Sequence, residues 1–308
     1  MDRCSYFIKD RALFGSFPTQ DSVNELENEG VKYFVNLTHS HEKKIVAYNT
    51  NYTQLNYPIT DRRTPTDIKS FSKFISQVSK IILNLEKGQK VYVHCKGGHG
   101  RSGIVVACLL CFIFNISPHD ALKNTTKCHS KRSVMREKWR TLGSPQTLSQ
   151  KNFVHKLFEP LYFYKAYKTG PTVGFSNCSI HPVSIRGFGD FPTAEAAFQA
   201  YKDPTNINYV NSLKFSKTPL IAKFIGENED NRELRVDWDD IKTSVLYKIV
   251  KLKFSQNDDI RSNLLNTGFR PIVERSRSNF IDGDKMSKGK NIFGSLLTQF
   301  RDKLYQDG

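Results

Sequence analysis

A cysteine, five residues rich in glycine, an arginine and a hydroxyl stand in one run, Val93-His94-Cys95-Lys96-Gly97-Gly98-His99-Gly100-Arg101-Ser102. These residue types suit phosphoryl transfer. A thiolate can attack phosphorus and give a covalent intermediate, which splits one hard step into two. Free thiols titrate at about 8.5, and a helix N-terminus or a nearby cation favours the thiolate. Arg101 offers a planar fork that matches two phosphoryl oxygens, a geometry lysine cannot copy. Ser102 can hydrogen-bond the sulfur and ease its departure in a second step. Gly97, Gly98 and Gly100 let the backbone turn with its amides facing a single anion.

Two elements must position this loop. Lys90 to His94 reads as a short buried strand, and Gly103 to Asn115 as an apolar helix. A loop that leaves a strand and opens a helix directs its free N–H groups at one site. The run resembles the signature of the cysteine-dependent protein tyrosine and dual-specificity phosphatases. From Ala12-Leu13-Phe14-Gly15-Ser16 to a final helix near Phe158, the resemblance covers about half of the 308 residues. It implies an α/β domain, a central sheet flanked by helices, with Cys95 as nucleophile, Arg101 as clamp and a phosphorylated substrate (protein, nucleotide or RNA 5′ end).

The resemblance also implies a general acid on an upstream loop. Tyr57-Pro58-Ile59-Thr60-Asp61-Arg62-Arg63-Thr64-Pro65 looks like that loop, with Asp61 as the acid. Asp67 competes, and its expected role is to cap the helix after Pro65. Ser144-Pro145-Gln146-Thr147-Leu148-Ser149-Gln150 is similar to the glutamine loop that some tyrosine phosphatases use to place the hydrolytic water. Gln150, or else Gln146, takes that role, with helix capping as the plainer reading. Lys96 and His99 stand at variable positions of the signature, where they line the pocket wall.

The chain is longer than one typical domain, and 38% hydrophobic with 12% aromatic residues is enough for two cores. No stretch approaches the roughly 20 apolar residues of a membrane span. Met1-Asp2-Arg3-Cys4 lacks a signal-peptide pattern. A cytoplasmic chain without membrane contact is the expectation. Cys4, Cys95, Cys108, Cys111, Cys128 and Cys178 show neither disulfide nor zinc spacing, and Cys108 and Cys111 lie on the apolar helix as core residues. Neither metal nor cofactor is implied, and the oligomeric state is left open.

The net charge of +16 is unevenly shared: residues 1–170 carry 26 basic and 13 acidic side chains. Lys123, Lys127, Lys131, Arg132, Arg136, Lys138 and Arg140 cluster around Trp139. They form either a solvated helix face or a collar that draws in polyanions, RNA among them.

Residues 163–172 read as a linker between domains at 1–162 and 173–308. The later half carries Gly174-Phe175-Ser176-Asn177, Phe191-Pro192-Thr193-Ala194-Glu195, Phe198 to Lys202, Arg235-Val236-Asp237-Trp238, Leu264 to Gly268, Glu274 and Gly289-Lys290-Asn291-Ile292-Phe293-Gly294. This ordered series resembles the YbiA-like, or NADAR, N-glycosidases, and implies a mainly helical α+β domain with a riboside or ADP-ribose ligand. Cleaving an N-glycosidic bond passes through an oxocarbenium-like state that a carboxylate stabilises. The resemblance makes Glu195 that carboxylate; a first-turn acidic residue favoured by the helix dipole is the plainer reading. Trp238 is either a stacking platform for the base or a core anchor. Asn177, Lys202, Lys290 and Asn291 are candidate ribose and phosphate contacts. Asn279 stands where the family has an acidic residue, so Asp282 is the candidate to take its place, and Glu227 follows Gly226 where relatives often have arginine.

The expectation is therefore a bifunctional hydrolase, a cysteine-dependent phosphatase joined to an N-glycosidase. The alternative is an RNA 5′-phosphatase or protein phosphatase whose second domain only binds ADP-ribose or nucleotide.

Overall fold

Val91, Tyr92 and Val93 form an apolar run without polar alternation, the mark of a strand covered on both faces. In the computed structural model, which describes residues 2–43, 45–164, 169–275 and 291–307, that run is the centre of a sheet. The chain divides into two compact units, residues 1–159 and 160–308.

The first unit contains β1 (Cys4–Ile8), β2 (Ala12–Gly15), α1 (Gln20–Asn28), β3 (Val31–Asn36), β4 (Thr53–Asn56), α2 (Ile68–Leu83), β5 (Lys90–His94), α3 (Arg101–Phe114), α4 (Pro118–Ser130), α5 (Glu137–Leu142) and α6 (Leu148–Phe158). The sheet order is β1-β2-β5-β3-β4. Only the β1–β2 hairpin in this sheet is antiparallel; the β2–β5, β5–β3 and β3–β4 pairs are parallel, and Val35 lies beside Val93 in register. Helix α3 is apolar on all sides, so it is buried throughout from Arg101 to Cys111. Cys108 and Cys111 are core residues, and burial pushes the Cys111 thiol up to about 12.

The second unit contains β6 (Leu161–Phe163), β7 (Val183–Ile185), β8 (Gly189–Phe191), α7 (Ala194–Ala200), α8 (Ile207–Lys214), α9 (Pro219–Glu227), α10 (Trp238–Gln256), α11 (Asp258–Leu265), β9 (Ile272–Glu274) and α12 (Ile292–Asp307). It is mainly helical. β6 and β9 pair in parallel, and β7 with β8 forms a short hairpin. Phe163, Phe175, Phe191, Leu246, Val250, Phe254, Phe293 and Leu297 fill one core. Among the described residues, no helix is long and apolar enough to cross a membrane.

Candidate active sites

β5 ends at His94 and α3 begins at Arg101, so residues 95–100 close the loop at the carboxyl end of the parallel strands. Open α/β sheets bind ligands at that end. Cys95 is buried at the base, its Sγ 3.6 Å from Ser102 Oγ. Gly98 has φ +73°, and a Cβ there would lie 2.3 Å from the carbonyl carbon of Gly15, so only glycine fits.

The Arg101 guanidinium is 1% exposed. Nη1 donates to Glu42 Oε1, to Ile59 O at 3.0 Å and to Leu37 O at 3.4 Å. Nη2 donates to Glu42 Oε2 and Asp61 Oδ1, both at 3.0 Å. Its Nε has no partner among the described residues. Burial opposes the guanidinium charge, yet Glu42, Cys95 and Asp61 together raise its pKa. Glu42 is itself braced by the His39 N–H at 3.1 Å, and although burial acts the other way, the bonds from Arg101 and His39 hold its carboxyl below the usual range. Glu42 was not visible as a functional residue in the sequence.

Asp61 stands on the loop after β4, its side chain 61% exposed and paired with Arg101. Asp67 caps α2 by accepting from Ser70 N at 2.9 Å. Gln150 is fully buried and joins a capping box with Thr147 at the start of α6. It also borders the loop, because a Cβ on Gly100 would meet its amide at 2.8 and 2.9 Å and Gln146 at 3.2 Å. Capping and contact with the loop both hold. Lys96 Nζ donates to Lys43 O at 2.8 Å, tethering the segment that carries Glu42.

Part of the basic cluster is differently placed than a surface collar requires. Arg132 is buried, donating to Gly98 O at 2.7 Å and Phe14 O at 2.9 Å, with its guanidinium 4.3 Å from the Phe14 ring centroid. Burial pulls its pKa down to about 10. His99 bonds His129 at 2.8 Å and stacks on Trp139 at 4.9 Å. Burial, and then Arg132, bring His99 down to about 4 and His129 to about 3, so both rings are neutral at pH 7. Beside the loop, a groove of about 700 Å³ is lined by Lys96, Gly97 and His99 together with Arg3, Arg136 and Trp139, and none of its described lining residues is a carboxylate.

In the second unit Glu195 sits in the first turn of α7, buried, with its backbone N donating to Asn177 O at 3.1 Å. Gln199 Nε2 donates to its carboxylate at 2.7 Å. Lys202 Nζ donates to Gly226 O at 2.8 Å; burial, and then Arg232, pull it down to about 8 while Glu195 acts in the other direction. Asn177 is 5% exposed, and neither of its amide atoms has a partner among the described residues. Lys223 and Glu274 act electrostatically on the same neighbourhood. Trp238 is 8% exposed and packs against Phe198 at 5.2 Å. That packing is the contact a core anchor makes. Asn291 bonds the backbone of β9. Asn279, Asp282 and Lys290 lie outside the described residues.

The family profile described as "Swiss Army Knife protein, DSP-PTPase phosphatase domain" matches residues 1–154. Over 315 aligned residues the chain is 31% identical to 197R, a candidate tyrosine phosphatase of Invertebrate iridescent virus 6, covering 99% of this chain and 96% of the relative. The chain belongs to this phosphatase family. Its second half, residues 162–305, matches the NADAR domain. There it is 33% identical to the N-glycosidase YbiA of Shigella flexneri, over 45% of this chain and 86% of that protein. The NMR structure of Escherichia coli YbiA aligns at 28% identity with a TM-score of 0.43, covering 49% of this chain and 88% of that one. The protein thus joins a tyrosine or dual-specificity type phosphatase domain to a NADAR domain.

Proposed function

We propose that the phosphatase domain hydrolyses phosphomonoesters through a phosphocysteine intermediate, and that the NADAR domain cleaves the N-glycosidic bond of phosphorylated ribosides or ADP-ribose adducts. The observation that carries the first reading is the buried Arg101 fork, held by Glu42 and Asp61 within electrostatic reach of Cys95. The Cys95 thiolate attacks phosphorus while Arg101 binds two equatorial oxygens. As the phosphate takes Nη2, Asp61 turns to the leaving oxygen and gives it a proton. Gln150, with Gln146 beside it, then positions water, and Ser102 donates to the departing sulfur as inorganic phosphate leaves.

Cys95→Ser is the direct test. It should abolish phosphate release from p-nitrophenyl phosphate while orthophosphate binding persists; retained turnover removes Cys95 as nucleophile. The groove beside the loop, cationic and without a carboxylate among its described lining residues, favours a substrate with more than one negative group. A panel of RNA 5′-phosphate, phosphotyrosine peptide and phosphoinositide ranks the substrate classes. The NADAR reading is supported by Glu195, buried beside an unpartnered Asn177. Glu195→Gln should end release of free base and leave the phosphatase unchanged.

A further inference from the structure

We propose that Glu274 is the proton donor to the departing base in the NADAR domain, with Glu195 as the carboxylate that stabilises the sugar cation. This rests on the N-glycosidase reading, and the experiment below separates the two.

Glu274 ends β9, and that end is fixed. Its N–H donates to Asn291 Oδ1 at 3.0 Å, and Asn291 Nδ2 donates to Ile272 O at 2.8 Å. α12 presses so closely here that a Cβ on Gly294 would lie 2.2 Å from Ile272 O. The carboxyl at this rigid position has a buried Oε2 without a partner among the described residues.

The two carboxyls differ in what surrounds them. Burial raises the Glu195 carboxyl above its ordinary range and Glu227 adds to the rise, but the Gln199 amide at 2.7 Å, Lys223 and Lys202 all work against it. Among the described residues, Lys223 is the one favourable charge that shifts Glu274, and Glu195 repels its ionised form. Two acids in one apolar setting cannot both ionise cheaply, so the less supported one keeps its proton. Burial first, then Glu195, push Glu274 up to about 8.

The same neighbourhood holds Asn177, with both amide atoms unpartnered, and Gln199 with an unpartnered Oε1. Each such buried group costs about 1–3 kcal/mol if nothing binds it. These unpartnered atoms belong to the two residues that hold Glu195, since the Asn177 backbone carbonyl accepts from the Glu195 N–H and Gln199 Nε2 donates to its carboxylate, and together they point to a polar ligand.

The step balances with water as the only co-reactant. The C1′–N bond breaks and its electron pair goes to the base nitrogen, which takes the Glu274 proton. Water adds to C1′ and yields a proton to Glu195. Proton exchange with solvent then restores both acids.

The test uses the full chain and two probes, adenosine 5′-monophosphate and nicotinamide mononucleotide. Adenine needs a proton to leave well; nicotinamide departs from a cationic glycoside as a neutral ring and does not. Glu274→Gln should slow adenine release roughly 10²–10⁴-fold, abolish the fall in rate above about pH 8, and alter nicotinamide release less than tenfold. Glu195→Gln should slow both. Glu274→Asp, which keeps an acid, should restore part of the adenine rate and shows that the domain still folds. Equal loss on the two probes, or no loss on either, overturns the role of Glu274 alone. Wild-type protein that releases neither base removes the glycosidase reading, and this proposal with it.

Discussion

Glu42→Gln tests whether the clamp is assembled before substrate arrives. Glu42 occupies both terminal nitrogens of a fully buried guanidinium and is itself 13% exposed. Glutamine keeps one acceptor but turns an NH₂ toward Nη2, so one charge-assisted bond is lost. That bond is worth about 1.5–3 kcal/mol. Asp61, the remaining counter-charge, is largely in water and compensates little. A loss of about 2–3 kcal/mol should lower the Tm of the phosphatase domain by roughly 4–12 °C. If the fork loses the same energy for phosphate, kcat/KM for p-nitrophenyl phosphate falls roughly 30- to 150-fold. The acid limb of stability changes too. Glu42 has a depressed folded pKa, so its contribution is complete above its ordinary value of 4.5 and disappears as pH falls through the folded value. Urea unfolding of wild type should weaken over that range more than the variant does. Full activity with unchanged stability, or faster turnover, would refute the reasoning.

Asp61→Asn should cut kcat roughly 10²–10⁴-fold on alkyl phosphates, with little effect on p-nitrophenyl phosphate, whose leaving group needs no proton; equal losses on both count against an acid role. Gly98→Ala forces a side chain at φ +73° into Gly15; orthophosphate protection against iodoacetamide labelling of Cys95 should vanish, and full protection would show that the loop accommodates it. Lys253 is fully buried, donates to Ser176 O at 2.7 Å, and is pulled by burial down to about 7 from 10.5. The unfolded chain therefore binds the extra proton between these values, and NADAR-domain stability should rise with pH from about 7 upward. Lys253→Met should flatten that rise in thermal scans; an unaltered slope assigns it to other groups.

The candidate catalytic loop was legible because its parts are contiguous. Strand, glycines, arginine and apolar helix all stand within residues 90–115, and a local pattern suffices to read them. Asp67 was legible as a cap, and Gln150 as a capping residue, for the same reason. Glu42 was not, since it meets Arg101 across 59 residues of sequence and its own segment carries no helix or strand period. Arg132 misled in the other direction: among many cations it reads as solvated, and only the folded chain brings the Gly98 and Phe14 carbonyls to it. Trp238 shows the limit for aromatics, whose type alone does not separate stacking platform from core. Glu274 entered only as a family match, because a terminal residue of a three-residue strand gives no sign of what it faces.

The buried guanidinium beneath Gly98 has a lasting effect on how the enzyme meets anions. Cations at the protein's rim are dimmed by dissolved ions within about 10 Å at 0.1 M, whereas a charge sealed behind packed atoms is shielded far less. Arg132 thus acts as a permanent bias on the seat above it, one that neither competes for the phosphate nor yields to brine. Attraction at the mouth should fade in concentrated salt, while the grip at the bottom outlasts it.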